Sequence, residues 1–159
     1  MEFQEHKDQI LSQELQALVD LHYNSKLSAI REKFELSVRQ ARERYFKKLE
    51  EINKHNSDEV FDLNIAHSQF RQDIAKAQKE FYESRKGALK NLDTAVESAI
   101  AKFKIEGMVA NMPDEKVRAL MQRMKNTYIP KTDDEILAEL DQREKGYFDK
   151  NGSISNPES

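Results

Sequence analysis

The sequence predicts an all-α protein built on a long antiparallel two-helix hairpin, and two apolar patterns with the same period carry that prediction. Between Leu63 and Phe103, apolar residues recur every eleven positions, as in the column Phe70, Phe81, Leu92 and Phe103. Eleven residues complete three helical turns at about 3.67 residues per turn. The column therefore lies along one stripe of a helix. One helix cannot bury such a stripe alone, so it needs a partner helix.

Two further columns complete this stripe. One reads Leu63, Ile74, Arg85 and Val96, and the other reads Ala66, Ala77, Ala88 and Ala99. Small alanine side chains allow a second helix to approach closely. Arg85 is the one charged residue in the columns. We expect its apolar stem to lie along the stripe while its guanidinium reaches outward, and fixing the pairing register is the alternative role.

The partner helix precedes this segment in the chain. Its apolar residues follow the same cycle, with spacings of four, four and three: Val19, Tyr23, Leu27, Ile30, Phe34, Val38, Ala41, Tyr45, Leu49 and Ile52. Two neighbouring helices that share this unusual period favour an antiparallel coiled-coil hairpin, in which Tyr45 lies near His67. One unbroken helix over both segments is the alternative, because no Gly or Pro separates them.

The predicted hairpin covers residues 1–106, with its turn at about 53–58. The first helix begins within the first few residues and runs to about Lys54. The turn residues are poor helix formers and good caps, and Asn56 with Glu59 resembles a capping box. The second helix runs from about Ser57 to Glu106, where Gly107 is well placed to end it.

Residues 107–148 predict two short helices. The first begins near Pro113 and ends near Pro130, and the second opens with the capping box Thr132–Glu135 and stops at Gly146. The first turns of the hairpin carry a wide apolar face, formed by Ile10, Leu11, Leu15, Leu18 and Val19. We therefore expect both short helices to pack at the open end of the hairpin. Residues 149–159 have the composition of a disordered tail.

The composition fits long exposed helices and points to no particular chemistry. Charged residues make up 35%, whereas the chain holds only four glycines and three prolines. The chain has no cysteine, which excludes disulfides and thiolate chemistry and fits a reducing compartment. It has no apolar run long enough to span a membrane, and Met1–Glu5 does not resemble a signal peptide. We expect a cytoplasmic protein.

No motif for catalysis, metal binding or cofactor binding is present. Di-iron bundles need Glu-x-x-His pairs, and none of the four histidines follows a glutamate at that spacing. The glycines are too far apart to form a phosphate-binding loop. We therefore expect no enzyme, no catalytic residue, no metal and no cofactor.

A basic stretch between Arg39 and Lys48 is the candidate for nucleic-acid contact. Phosphate binding needs several cations on one face, but these cations spread around the helix and Glu43 lies among them. A solvated face is the simpler interpretation. A nucleic-acid-associated protein is the alternative function, and nucleic acid is not the expected partner.

An apolar group near the predicted turn is the candidate partner-binding site. Phe46, Phe61 and Ile65 fall outside the columns, yet the antiparallel pairing brings them together there. The cations Arg42, Lys47 and Lys48 would form its rim. We therefore expect a non-enzymatic adaptor or assembly factor that binds a protein partner at this end of the hairpin. Self-assembly into a homo-oligomer is a second route, and the Met-rich segment 108–124 fits either a core or a docking groove.

Overall fold

The computed structural model describes residues 2–55, 59–105 and 114–151, and their regular structure is entirely helical. The helices are α1 (Glu2–Val19), α2 (Ser25–His55), α3 (Glu59–Ile105), α4 (Asp114–Met124) and α5 (Asp133–Asn151), and a π-helical turn over Asp20–Asn24 joins α1 to α2. No strand occurs in these residues, so the predicted all-α class is confirmed. The scarcity of helix-breaking residues explains why α2 and α3 run so far without interruption.

The chain forms two compact units. The first comprises the described residues of Met1–Arg31 and Tyr82–Tyr128, and it contains α1, the π-helical turn and α4. The second comprises those of Glu32–Phe81 and Ile129–Ser159, and it contains α5. Each of the long helices α2 and α3 contributes residues to both units. The predicted division into residues 1–106, 107–148 and 149–159 stays a prediction.

The predicted columns supply most of the core. Every member of the Phe70 column is buried, and none is more than 6% exposed. In the upstream columns all residues are buried except Ile30, which is half-buried. Ala66, Ala77 and Ala88 are also buried. The guanidinium of Arg85 lies 5.0 Å from the ring centroid of the exposed Tyr82, as expected for a side chain that reaches outward from the stripe.

Within the second unit, α2 and α3 pack against each other in opposite directions. Phe34 contacts Phe81 edge-on at a centroid distance of 5.7 Å, whereas Tyr45, further along α2, contacts Phe70, earlier in α3, at 5.8 Å. Residue numbers rise along one helix as they fall along the other, so the pairing is antiparallel here. Aromatic pairs in this geometry add stability beyond the apolar area that they bury.

The π-helical turn between Asp20 and Asn24 corrects the prediction of one regular first helix. Leu11, Leu15, Val19, Tyr23 and Leu27 are all buried, and four spacings of four residues separate them. On a regular α-helix such a run drifts by roughly 160°, because each residue turns about 100°. A π-turn takes up one extra residue and removes about 100° of that drift. The turn therefore keeps all five side chains in the core.

The wide apolar face of α1 is covered by α4, which confirms that another element packs there. Leu11 and Leu15 are fully buried, as is Val117 of α4 at 1% exposure. Asn24 of the π-helical turn holds the end of α4: its side-chain nitrogen donates to the Met124 carbonyl at 3.0 Å, and its side-chain oxygen accepts from the Asn126 amide at 2.8 Å.

The α5 helix is longer than predicted and lies elsewhere. Its capping box is confirmed, since the Glu135 amide donates to Thr132 Oγ1 at 3.2 Å. The helix passes through Gly146 to Asn151, so the predicted stop at Gly146 is wrong. A single glycine costs only about 1 kcal/mol within a helix. The rest of the predicted tail, residues 152–159, lies outside the described residues.

The placement of α5 at the open end of the hairpin is also wrong. This helix contacts Arg42 and Phe46 of α2 and His67 of α3, which are near the predicted turn. The segment Lys125–Thr132 is not helical and connects α4 to α5. Of the predicted turn, residues 53–55 end α2, and residues 56–58 lie outside the described part of the chain, as does Gly107.

Candidate functional site

Two of the six predicted partner-binding residues, Arg42 and Phe46, contact α5. Arg42 Nη2 lies 2.6 Å from Glu139 Oε2, and the arginine side chain is only 14% exposed. The Phe46 ring lies 5.9 Å from the Tyr147 ring, centroid to centroid. Phe46 is half-buried. These two side chains therefore attach a helix of the same chain, which is a use that the sequence did not predict.

Charge pairing around Glu139 links α2, α5 and the segment before α5. Lys131 also donates to this carboxylate. The hydrogen bond from Lys131 lowers the pKa of Glu139, and the charges of Lys131, Arg42 and Arg143 lower it further. Burial lowers the pKa of Arg42, as does the like charge of Arg143. Arg42 Nε is buried with no hydrogen-bond partner in the described structure, so the pairing leaves one donor unsatisfied.

A polar cluster lies beside this pair, formed by Tyr45 of α2, His67 of α3 and Glu144 of α5. Tyr45 Oη and His67 Nε2 lie 2.9 Å apart, which confirms the predicted proximity of these residues. His67 Nε2 is 3.7 Å from Glu144 Oε2. Burial raises the pKa of Tyr45, and the neighbouring carboxylate of Glu144 raises it further. The cluster therefore joins three helices through polar side chains. One of these side chains, Tyr45, is almost completely buried, with 3% of its surface exposed.

The other apolar residues of the predicted site are exposed at the start of α3. Phe61 is 60% exposed and Ile65 is 47% exposed, and the neighbouring Val60 is 64% exposed. Phe61 and Ile65 are four residues apart on one helix, so they share a face. We call Val60, Phe61 and Ile65 the apolar patch.

The patch continues into a groove between α2 and α3 within the second unit. The groove has a volume of about 310 Å³ and is lined by Ala41, Arg44, Tyr45, Lys48, Ile65, Ala66, Gln69, Phe70 and Asp73. We call it the α2–α3 groove. Ile65 and Lys48 of the predicted site lie here, whereas Arg42 and Phe46 do not line it. The structure therefore divides the predicted residues between two surfaces, and Lys47 is exposed without lining the groove.

The two edges of the α2–α3 groove differ in charge. Arg44 and Lys48 lie on the α2 edge, and Asp73 is the charged lining residue on the α3 edge. Arg44 donates to Asp73 at 3.2 Å, with the arginine side chain 58% exposed. Lys48 lies 3.6 Å from Glu51, and both side chains are about half exposed. Exposed pairs such as this one stabilise a protein by at most about 1 kcal/mol, so they exchange partners readily.

A second groove lies between α3 and α4 in the first unit. It has a volume of about 720 Å³, and its lining includes Leu89, Val96 and Ile100 of α3 with Val117 and Met121 of α4. Met121 is only 5% exposed, so it packs in the core and also borders the groove. Met108 and Met112 lie outside the described residues.

The basic stretch between Arg39 and Lys48 is largely paired. Arg42 pairs with Glu139, Arg44 with Asp73 and Lys48 with Glu51. Pairing reduces the positive potential that a phosphate backbone requires. Among the described residues, no group of three or more acidic or histidine side chains can hold a metal ion, and no helix is long and apolar enough to cross a bilayer.

Sequence reasoning missed the residues that α5 contributes, above all Glu139, Glu144 and Tyr147. A signal was present in the charge pattern. The basic stretch of α2 and the acidic start of α5, with Asp133, Asp134 and Glu135, have opposite charge. Two of the missed residues, Glu144 and Tyr147, are three positions apart and therefore share a face of the helix, whereas Glu139 and Glu144 are five positions apart and do not.

Comparison of the chain with protein families, with curated proteins and with solved structures finds no match.

Proposed function

We propose that the chain is a non-enzymatic adaptor or assembly factor that acts in the cytoplasm through protein contacts at the apolar patch and the adjoining α2–α3 groove. The observation that carries this proposal is the clustering of exposed apolar side chains. Seven large apolar residues are exposed in the described part of the chain, and three of them fall within six positions at the start of α3. Clustered exposed apolar residues mark interaction surfaces, whereas scattered ones are ordinary.

The proposed architecture places this surface at the end of a long coiled-coil hairpin. Two observations support the hairpin: α2 and α3 pair in opposite directions in the second unit, and only three residues separate them in the chain. Three linking residues keep the ends of the helices within about 15 Å of each other. A binding surface near such a turn is accessible to a partner without any rearrangement of the core.

The alternative function, nucleic-acid association through residues 39–48, has less support. Three cations of this stretch already have carboxylate partners. Arg42 is also largely buried, since its side chain is only 14% exposed. A nucleic-acid site would require these pairs to break, and breaking the Arg42–Glu139 pair would leave the largely buried guanidinium without its carboxylate.

The test is partner capture by variants with matched exposure. Phe61→Ser removes an apolar side chain from the patch, and Leu21→Ser removes one that is 63% exposed in the π-helical turn. We expect proteins bound by the wild type to bind Leu21→Ser equally and Phe61→Ser poorly, with unchanged helicity in both. A Phe61→Ser variant that stays folded and keeps every partner would remove the patch as the functional surface.

A further inference from the structure

We infer that the α2–α3 groove binds the same groove of a second copy of this chain, and this inference rests on the proposed function of that surface. The proposed complex is a two-fold dimer in which α2 of one copy lies over α3 of the other. Three features of the groove support a second copy as the occupant: the shape of its floor, the position of its exposed apolar residues, and the charges of its edges.

The floor of the groove is shaped to accept another helix. Ala41, Ala66, Tyr45 and Phe70 form this floor and are each at most 5% exposed, so the floor is an apolar depression that offers little accessible surface of its own. Ile65 lies on the α3 edge with Phe61 one helical turn before it, and both side chains are about half exposed or more. The same surface therefore offers both a depression and the apolar side chains that fill one. Such a surface is self-complementary, as a two-fold interface requires.

The edge charges select the orientation of the two copies. The α2 edge carries Arg44 and Lys48, and the α3 edge carries Asp73. A two-fold axis parallel to the helices places the basic edge of each copy over the acidic edge of the other. An axis across the helices would instead oppose basic edges to each other, which is unfavourable. Either axis makes all neighbouring helices antiparallel, as in a four-helix bundle, so the edge charges decide between the two arrangements.

The size of the surface indicates a weak dimer. From Phe61 to Asp73, α3 advances by about 18 Å, and two helices side by side are about 20 Å wide. The face therefore measures roughly 400 Å² per copy, about half of the ~800 Å² per partner in a stable complex. Association should depend on concentration, and chemical trapping is the suitable method of detection.

The absence of native cysteine permits a specific trap. Lys48→Cys and Gln69→Cys place one thiol on each edge of the groove, and each chain carries only one of them. A disulfide requires Cα atoms about 4.4–6.8 Å apart. We expect a mixture of the two variants, under oxidation at equal total concentration, to give several times more cross-linked dimer than either variant alone. Leu21→Cys mixed with Lys48→Cys, a pair with one thiol in the π-helical turn, should give only the background of random collision.

Sedimentation of the unmodified chain provides the second measurement. We expect the average mass to rise toward that of a dimer as the concentration approaches ~1 mM. Ile65→Asp should abolish this rise, whereas Leu21→Asp should leave it unchanged. A monomer at every concentration, or cross-linking without preference for the mixed pair, would overturn the second copy as occupant. If Ile65→Asp nevertheless loses partner capture, a helix of another protein occupies the groove and the proposed function stands.

Discussion

Tyr45 and His67 share a hydrogen bond of 2.9 Å that fixes how α2 and α3 align in the second unit. Tyr45 is 3% exposed, and its ring also contacts Phe70. A one-turn slip of either helix would separate Tyr45 from His67 and lose this hydrogen bond, whose net contribution is about 0.5–1.5 kcal/mol. The pair therefore specifies the register of two helices whose apolar stripes, being nearly periodic, specify it weakly by themselves.

The pKa of Tyr45, raised by burial and by Glu144, predicts a loss of stability at high pH. The folded state keeps this proton when the unfolded state releases it at a pKa of about 10. The contribution of Tyr45 is thus complete below pH 10 and is lost as the pH rises further. In urea unfolding between pH 8 and 11, the wild type should lose stability more steeply than Tyr45→Phe. The control variant is Tyr82→Phe, which removes the hydroxyl group of an exposed tyrosine. An equally steep loss of stability in Tyr45→Phe and in the wild type would contradict the assignment to Tyr45.

Removing the Glu139 carboxylate should weaken the attachment of α5. Glu139→Gln leaves the largely buried Arg42 without its ionic partner, and we expect a loss of about 1–2 kcal/mol at pH 7, below the ~3–5 kcal/mol typical of a fully buried pair. Because the pKa of Glu139 is lowered in the folded state, its contribution is present above the unfolded pKa of about 4.3 and is lost as the pH falls through the folded pKa. The stability difference between wild type and variant should therefore shrink toward pH 3. Glu51→Gln, on the exposed pair with Lys48, should change stability by less than ~0.5 kcal/mol.

Phe46 and Phe61 should respond differently to truncation, although both lie outside the apolar columns. Phe46 is half-buried against Tyr147, so Phe46→Ser should cost about 1–3 kcal/mol, less than the ~3–5 kcal/mol for a fully buried phenylalanine. Phe61→Ser should cost at most ~0.5 kcal/mol. Hydrogen exchange should show faster exchange of the α5 amides in the first variant alone. Equal effects in the two variants would contradict the placement of Phe46 against α5.

The alanine column should not tolerate larger side chains. Ala88 is 6% exposed, so Ala88→Leu should overpack the core at a cost of about 1–3 kcal/mol. Ala75 lies on the exposed side of the same helix, and Ala75→Leu should be nearly neutral because the two residues have similar helix propensity. Thermal unfolding of the two variants makes the comparison. An unchanged melting temperature for Ala88→Leu would refute close packing of the column.

Gly146 should be replaceable by alanine with a gain in stability. The glycine lies within α5, and a Cβ atom added there would meet no other atom within 4 Å. Gly146→Ala should stabilise the fold by about 0.4–1 kcal/mol, chiefly by reducing the freedom of the unfolded chain. The measurement is the urea concentration at the midpoint of unfolding, with the dependence of the unfolding free energy on urea concentration unchanged between the two proteins. A loss of stability would show that the glycine has a function in α5 beyond its helical backbone.

Repetition explains which features the sequence could predict. The columns through Phe70 and Val19 repeat several times, so each residue supports the assignment of the others, and the Tyr45–His67 contact follows from aligning them. The position of α5 depends instead on single contacts, such as Arg42 with Glu139 and Phe46 with Tyr147. No repeat encodes these contacts. The sequence pattern therefore groups Phe46 with Phe61 as a surface residue, although contact with α5, which is distant in sequence, leaves Phe46 half-buried.

The π-helical turn has a consequence for finding relatives of this chain. It holds one residue more than a regular helix needs between Asp20 and Asn24, so the insertion of one residue into a regular helix would produce such a turn. A homologous protein with a regular helix here should align with a gap of one position in this interval and with none in the repeats that follow.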